Sequence, residues 1–559
     1  MINIIEAKPT KLSGISSLYI SFNFKSEIVN IIKTCSKYIY DKNTYTWELP
    51  LTELSYLLDE LTYIDDIKLT LLEDNNQKEH FYPKCTSLYK SKPFQHQLEA
   101  IEWGLNNDSG LILDDPGLGK SLEIIYLAQE LKEQKGLEHC LIICGINTLK
   151  GNWKNEITKH SDLTCKVIGE KINKKGNIIY TSMKERAEEL RNKNDAFFYI
   201  INIESLRNDD IIEAIKHSEN NINMIVFDEC HKCSNPSSIQ SKGLLKLTSA
   251  EHKYGLTGTL LTNTPLNAFV PLKWIGTENS TLTNFKGLYC IYGGFGGHQI
   301  VGYQNIDLLK QEIDSCSIRR TKDILKDLPP KIIIQERVDM SDSHKAFYDS
   351  VKDGVKEECD KIQLNASNSL GLTVRLLQAT SCPQILTTNP VQSTKIERAC
   401  ELVEEICGRG EKVVIMSRFK EPIFELEKLL TKYKPLRGDG DISDDQFNKN
   451  VKLFQEDNKH LVFLGTHQRA GTGITLNKAS YMILIDCPWT AAVTKQVEDR
   501  IHRIGSKSTV FIYRLICRGT IDEFVQKAIQ RKEAIADFII DDKTDEKTMN
   551  ILKDYIQSL

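Results

Sequence analysis

The stretch Leu113-Asp114-Asp115-Pro116-Gly117-Leu118-Gly119-Lys120-Ser121 limits what this chain can fold into more than any other. It follows the apolar run Gly110-Leu111-Ile112-Leu113 and precedes the helical stretch Leu122 to Leu131, so it reads as strand, glycine-rich turn and helix. Successive amides in such a turn cradle phosphate, and Lys120 adds a point charge for β and γ phosphates. Further along, the apolar strand Met224-Ile225-Val226-Phe227 delivers Asp228-Glu229-Cys230-His231 at its end. Two carboxylates placed so suit one ligand for Mg²⁺ and one group that orients or activates water. Asp114 stands where a phosphate loop usually has its first glycine, so the loop alone is also compatible with a surface turn. The second strand, ending in Asp-Glu, decides for a nucleotide triphosphatase. Asp115, Gly117, Gly119, Lys120 and Ser121 are then its nucleotide contacts, and Ser121 with Asp228 its metal side.

At 559 residues the chain exceeds one ordinary core and suits two α/β lobes with smaller pieces. A hydrophobic content of 40% and a charged content of 26% are those of a soluble globular protein. No run of roughly eighteen apolar residues occurs. The opening Met1-Ile2-Asn3-Ile4-Ile5-Glu6 lacks a basic n-region and a cleavage site, so neither membrane insertion nor secretion is expected. The formal charge of -4 means that a nucleic-acid partner is held by local basic patches and not by a global field. Fifteen cysteines, an odd number without repeated spacing, fit a reducing compartment. The expected location is the cytoplasm of a bacterium or of a virus-infected cell, or the nucleus of a eukaryote. Cys230-x-x-Cys233, with His231 and His252, offers metal-ligand chemistry, but it lies inside the Asp-Glu-x-His box and has no second Cys pair near it.

The fold class expected is α/β: two RecA-like lobes with parallel sheets, helical insertions and a small N-terminal α+β module. Residues 1–88 form that module, with alternation in Leu18 to Phe24, a helical period from Ser26 to Tyr38 and a turn into a strand around Trp47. Residues 89–328 form the first lobe, whose short apolar runs alternate with helical stretches as a parallel sheet requires. Its stretch 276–305, rich in Gly and Asn, reads as a loop within an insertion near 276–318. The second lobe is expected over 329–535, after Leu328-Pro329-Pro330-Lys331, with a helical insertion near 341–395, and residues 536–559 form a helical tail. No internal repeat is evident, so the lobes are related by fold only.

The order of these motifs resembles the Swi/Snf-type branch of the superfamily-two helicases, two-lobed RecA-like motors, over roughly residues 94 to 535. The resemblance implies ATP as the nucleotide, Mg²⁺ as the ion and duplex DNA as the track. Gln97 sits at the family's adenine-reading glutamine, and Leu141 to Trp153, with Asn147 and Thr148, is similar to the motif that touches the DNA backbone. Leu256-Thr257-Gly258-Thr259 matches the motif that couples hydrolysis to lobe movement, a role implied for Gln496 as well. Ile318-Arg319-Arg320-Thr321-Lys322 with the following Leu-Pro-Pro-Lys is similar to the interlobe segment of this branch. Arg418, Thr466 and Trp489 are carried over as further DNA contacts. Gln496 to Gly505 resembles the last motif, and physics supports the carry-over. Arg500 and Arg503, three apart, are expected on one helix face, where they aim at a phosphate. Such an arginine finger is worth ~10³ or more in rate. Standing alone, the pair also reads as a basic face matched to Glu498 and Asp499. Lys120, Asp228, Glu229, Arg500 and Arg503 are thus the catalytic set.

The chain departs from the family at Gly145, Leu260 and Ser506, none of which removes a phosphate- or Mg²⁺-binding group. Thr475, in Gly473-Ile474-Thr475, replaces the asparagine of chromatin remodellers and looks more like the annealing-helicase branch. Tyr40-Asp41, Thr44, Trp47 and Leu51 resemble the HARP domain found beside such motors; the other reading is an unrelated module with Trp47, Phe22 and Phe24 in its core. The function implied is an ATP-dependent DNA translocase acting on double-stranded or branched DNA in replication, recombination or repair. An annealing or fork-remodelling helicase, an RNA-dependent ATPase and an inactive nucleic-acid-binding scaffold are the alternatives. The Arg-Arg-Thr-Lys and Leu-Pro-Pro-Lys elements argue against RNA, and the intact catalytic set argues against a scaffold.

Overall fold

The computed structural model describes residues 3–7, 17–20, 25–35, 38–41, 46–50, 54–61, 67–69, 80–145, 149–172, 178–193, 195–258, 260–261, 264–325, 328–361, 366–471, 474–488 and 491–531. They fall into two compact units, Met1–Asp115 with Lys120–Thr321, and Pro116–Gly119 with Lys322–Leu559.

The first unit opens on a small module. Strands β1 (Asn3–Ala7), β2 (Ser17–Ile20), β3 (Ile39–Asp41), β4 (Thr46–Pro50) and β5 (Ile67–Leu69) form one sheet in the order β3-β4-β2-β1-β5. Its pairs are antiparallel except β1 with β5. Helix Ser26–Thr34 buries Ile28 and Ile32, one turn apart, against Ile20, Leu49, Leu57 and Leu61, with Trp47 packed on this core. Tyr40 lies against Trp47 with ring centroids 4.7 Å apart. Thr44, Leu51, Phe22 and Phe24 fall outside the described residues.

The unit continues through β6 (Ser109–Ile112), β7 (His139–Cys144), β8 (Cys165–Val167), β9 (Glu170–Ile172), β10 (Ile178–Tyr180), β11 (Phe198–Asn202), β12 (Ile222–Asp228), β13 (His252–Leu256), β14 (Cys290–Gly293), β15 (Gln299–Tyr303) and β16 (Ser317–Ile318). Seven of these make one sheet, β16-β6-β13-β12-β7-β11-β8, and each pairing in it is parallel. Both faces are covered, which is why its central strands β7, β11 and β12 carry continuous apolar runs and do not alternate. Leu141, Ile143, Tyr199 and Phe227 enter the core on one face, and Cys140, Ile142, Phe198 and Val226 the core on the other. The stretch 276–305 is not the loop its glycines suggest. It contains helix Leu282–Tyr289 and the antiparallel hairpin β14–β15. Ile291, Tyr292, Ile300, Val301 and Tyr303 supply the β-formers, and Gly294, Gly296 and Gly297, at positive φ, make the turn between the strands.

The second unit holds β17 (Lys331–Val338), β18 (Val413–Ser417), β19 (Leu436–Gly438), β20 (Val462–Thr466), β21 (Tyr481–Leu484) and β22 (Val510–Cys517). They form a second parallel sheet in the order β17-β22-β21-β18-β20-β19. Helices Asp342–Lys361 and Ala366–Ser381 occupy the segment expected to be a helical insertion, and with Ile521–Arg531 they bury Tyr348, Leu372, Leu376, Ile521 and Val525. Lys395, fully buried, meets Asp522 at 2.6 Å. The expected tail at 536–559 lies outside the described residues. Among the described residues, no helix is long and apolar enough to cross a membrane.

Candidate nucleotide-binding site

Register puts the motifs of the first unit on one edge. Asp228, Leu256 and Ile112 are aligned across β12, β13 and β6, so the turns that follow all three strands leave from their carboxyl ends. Crevices outside those ends are where open parallel sheets bind ligands. The turn after β6 is the glycine-rich loop. Gly117 and Gly119 take φ values of 94° and 97°, a region that side chains resist, and helix Lys120–Lys135 starts directly afterwards. The loop amides and the helix N-terminus present positive ends to an anion. Lys120 Nζ donates to the Asp114 carbonyl at 2.6 Å and lies 3.5 Å from that of Asp115. Ser121 stands half-buried in the first turn of the helix. Asp115 is buried and its N–H donates to the Arg320 carbonyl, which places it in the wall of the loop.

The turn after β12 carries the carboxylates. Asp228 Oδ2 accepts from the indole Nε1 of fully buried Trp153 at 2.8 Å. Burial, and then the neighbouring Glu229 charge, push the Asp228 carboxyl up to about 6, against the pull of that indole and of Lys120. Glu229 adopts φ 57°, ψ 49°, a left-handed conformation that costs a non-glycine residue about 1 kcal/mol and here turns the chain from strand into helical turn Cys230–Cys233. His231 Nδ1 lies 3.2 Å from Glu229 Oε2 and 2.9 Å from Thr257 Oγ1, linking the second carboxylate to the turn after β13. That turn brings in Thr257, buried, and Gly258, half-buried; Thr259 is outside the described residues. Gly145 has a local reason: its N–H donates to the Asp228 carbonyl at 2.9 Å, and an added Cβ would stand 2.8 Å from that oxygen. A proline at this position would have no N–H to give. Cys230 and Cys233 are buried, and burial first of all raises both thiols, Cys233 to about 12. Gln97 is buried and its Oε1 accepts from the Phe94 N–H at 2.9 Å, so the expected adenine reader also caps its own helix, Gln95–Asn106.

In the second unit one expectation needs correction. Arg500 and Arg503 do not share a helix face, because helix Ala491–Glu498 ends before them. They are brought together by a common acceptor: Arg500 Nη1 and Arg503 Nη1 reach the Ile474 carbonyl at 3.2 Å and 3.3 Å. Arg500 Nε also donates to the Gln496 carbonyl at 2.9 Å, and Arg503 Nη1 to Thr475 Oγ1 at 2.7 Å. Thr475 thus carries a guanidinium contact. Ser506, another departure, ties the turn, since its Oγ accepts from the Arg503 N–H and donates to the Ile501 carbonyl. Glu498 meets Arg514 and Lys331, and Asp499 meets Lys322. Arg418 follows β18, whose Ser417 is in register with Thr466 at the end of β20, so these two candidate DNA contacts leave adjacent strand ends. The Arg418 N–H donates to Asp486 at 2.7 Å. Asn147, Thr148 and Trp489 fall outside the described residues.

Sequence reasoning missed Trp153 as a partner of Asp228 and missed what Asp114 does. Asp114 is fully buried and paired with Arg320. A carboxylate in the place of a loop glycine was the signal, because a buried charge calls for a partner of opposite sign.

Residues 96–385 match the family described as the SNF2-related domain, and residues 394–505 the helicase conserved C-terminal domain. An uncharacterized ATP-dependent helicase of Mycoplasma genitalium is 27% identical over 539 residues, covering 93% of this chain and 47% of the relative. A probable ATP-dependent DNA helicase of Arabidopsis thaliana is 25% identical, covering 79% and 41%. The DNA repair and recombination protein RDH54 of Saccharomyces cerevisiae is 29% identical, covering 77% and 51%. The chain spans about half the length of these curated relatives. Among solved structures, the Sulfolobus solfataricus SWI2/SNF2 ATPase core in complex with dsDNA is 21% identical with a TM-score of 0.38, covering 85% of this chain and 99% of that one.

Proposed function

The chain belongs to the SNF2-related family, and from that premise we propose that it is a DNA-dependent ATPase that translocates along duplex or branched DNA in replication, recombination or repair. The observation that carries the reading is the convergence of the Lys120 loop, Asp228-Glu229 and Thr257-Gly258 at the carboxyl ends of β6, β12 and β13. In the proposed cycle the loop amides and Lys120 hold the phosphates of ATP. Ser121 and Asp228 are the hard oxygen donors that would hold Mg²⁺, whose charge would offset that of the phosphates. Glu229 orients the attacking water, held in its rotamer by His231. The arginine pair of the second unit stabilises the charge that develops on the transferred phosphoryl group. Thr257, bonded to the same His231, gives the hydrolytic carboxylate a path to the coupling motif. Contacts to the track through Arg418 and Thr466 go to backbone phosphates, so binding weakens steeply with salt and carries little sequence preference.

The test is ATP hydrolysis by the purified chain and by Lys120→Ala with no nucleic acid, single-stranded DNA, duplex DNA, forked DNA and duplex RNA. Strong stimulation by duplex or forked DNA, lost in the variant, supports the reading, and preference for the fork assigns it to fork remodelling. Equal turnover in all five conditions, or activity that survives the substitution, overturns it.

A further inference from the structure

Two buried carboxyl groups flank the phosphate loop, and one arginine meets both. Asp114 and Glu123 are 0% and 1% exposed. Both are met by the guanidinium of Arg320, itself 9% exposed: Nε reaches Asp114 Oδ1 at 3.0 Å, Nη2 reaches Asp114 Oδ2, and Nη2 reaches Glu123 Oε1 at 3.0 Å. Nη1 donates to the His96 carbonyl, and the Arg320 N–H donates to Asp114 Oδ1 at 3.0 Å. Glu123 Oε2 has no hydrogen-bond partner among the described residues. The fourth member of the group is Lys120, one helical turn before Glu123, whose ammonium rests on the Asp114 carbonyl at 2.6 Å. Burial, and then the neighbouring Asp114 charge, push the Glu123 carboxyl well above the usual carboxylate range, against the pull of Arg320 and then of Lys120. Arg320 is thus the cation paired directly with both buried carboxyl groups. Without it, the negative charge left in this low-dielectric wall attracts Lys120 and repels the phosphates of an incoming nucleotide.

We propose that Arg320 is a positioning residue that neutralises Asp114 and Glu123 and so keeps Lys120 available to ATP, making nucleotide binding conditional on where the segment Ile318–Thr321 lies. This rests on the ATPase reading and deepens it. The segment belongs to the same sheet as the loop strand: β16 pairs with β6, the Leu113 N–H donates to the Ile318 carbonyl at 2.8 Å and the Asp115 N–H to the Arg320 carbonyl at 3.0 Å. Thr321 is the last residue of the first unit, so Arg320 sits on the stretch of chain that leads to Lys322 and the second unit. A displacement that draws this stretch out of the sheet removes the counter-charge and turns Lys120 inward.

The experiment measures binding of a fluorescent ATP analogue with Mg²⁺ to the full chain, without DNA, for wild type, Arg320→Gln, Arg320→Lys and the triple variant Asp114→Asn/Glu123→Gln/Arg320→Gln. Arg320→Gln is expected to weaken binding roughly tenfold or more, while Arg320→Lys and the charge-free triple variant stay within about threefold of wild type. A purely architectural arginine predicts the opposite order, because lysine cannot make the same fork and the triple variant has lost it entirely. Wild-type affinity in Arg320→Gln, or a triple variant as weak as the single one, overturns the proposal. If Arg320→Gln does not fold, the triple variant still decides: tight binding supports the charge role and weak binding refutes it. Failure of the wild-type chain itself to bind the nucleotide is a separate result that overturns the ATPase reading and this inference with it.

Discussion

Replacing Asp228 with asparagine is expected to stabilise the nucleotide-free protein while removing its turnover. Burial and Glu229 raise the Asp228 carboxyl from 3.8 to about 6. The folded state therefore binds this proton more tightly than the unfolded state does. Its contribution to stability is largest below the unfolded value, is lost as pH rises from about 4 to about 6, and stays lost above that. A shift of about 2 units at 1.36 kcal/mol each corresponds to about 3 kcal/mol. The carboxylate is partly open to solvent, and screening reduces the expected effect to about 1–2 kcal/mol. Asparagine keeps the shape, accepts the same Trp153 N–H and carries no charge. The assay is urea unfolding of wild type and Asp228→Asn at pH 4 and pH 8, without nucleotide or Mg²⁺, followed through Trp103, Trp153 and Trp274 of the first unit. The variant should be more stable at pH 8 and indistinguishable at pH 4. Addition of Mg²⁺ and ATP should reverse the order at pH 8, because the wild-type carboxylate gains the ion that the amide does not hold. An asparagine variant no more stable than wild type at pH 8 refutes the claim that this carboxylate is held at a cost.

Three other substitutions follow from the same geometry. Trp153→Phe removes the donor to Asp228 Oδ2, so the acid limb of the DNA-stimulated pH–rate profile should move to higher pH, with about 1–2 kcal/mol of stability lost; an unmoved limb would show that the indole does not tune the carboxylate. Lys395→Met leaves Asp522 buried without its cation and should destabilise the second unit by about 3–5 kcal/mol, most of it recovered when Asp522→Asn is added; denaturant midpoints of the single and double variants measure this. Gly243→Ala places a Cβ 2.1 Å from the Leu206 carbonyl oxygen and should cost about 1–3 kcal/mol, read as a lower melting midpoint of the first unit.

Features written in consecutive residues were legible in the sequence, and pairings across the chain were not. The Lys120 loop and Asp228-Glu229 each follow an apolar run, and both signals are complete within about a dozen residues. Arg320 and Asp114 are 206 positions apart, and Trp153 and Asp228 are 75 apart. Only the folded sheet, by setting β16 beside β6 and β12 beside β7, brings those side chains together. Arg500 and Arg503 show the reverse. Their spacing suggested a helix face, whereas Gly505, at φ 94°, and Ser506 close a turn that periodicity does not report. The β14–β15 hairpin was masked because glycine signals a turn more strongly than four or five scattered β-formers signal strands.

The strand order of the second sheet has a consequence for biosynthesis. β22, the last of these strands to be translated, is an interior strand: it lies between β21 and β17, and among the described residues β17 pairs with it alone. β17 therefore leaves the ribosome about 170 residues ahead of β22, its partner among the described residues, a wait of roughly 10–35 s at ordinary elongation rates. Through that interval, both β17 and the open side of β21 expose unpaired backbone groups of the kind that recruit other chains. A nascent chain interrupted before Val510 keeps those two edges open, which makes the last part of the sheet the point at which this unit is most dependent on prompt completion or on a chaperone.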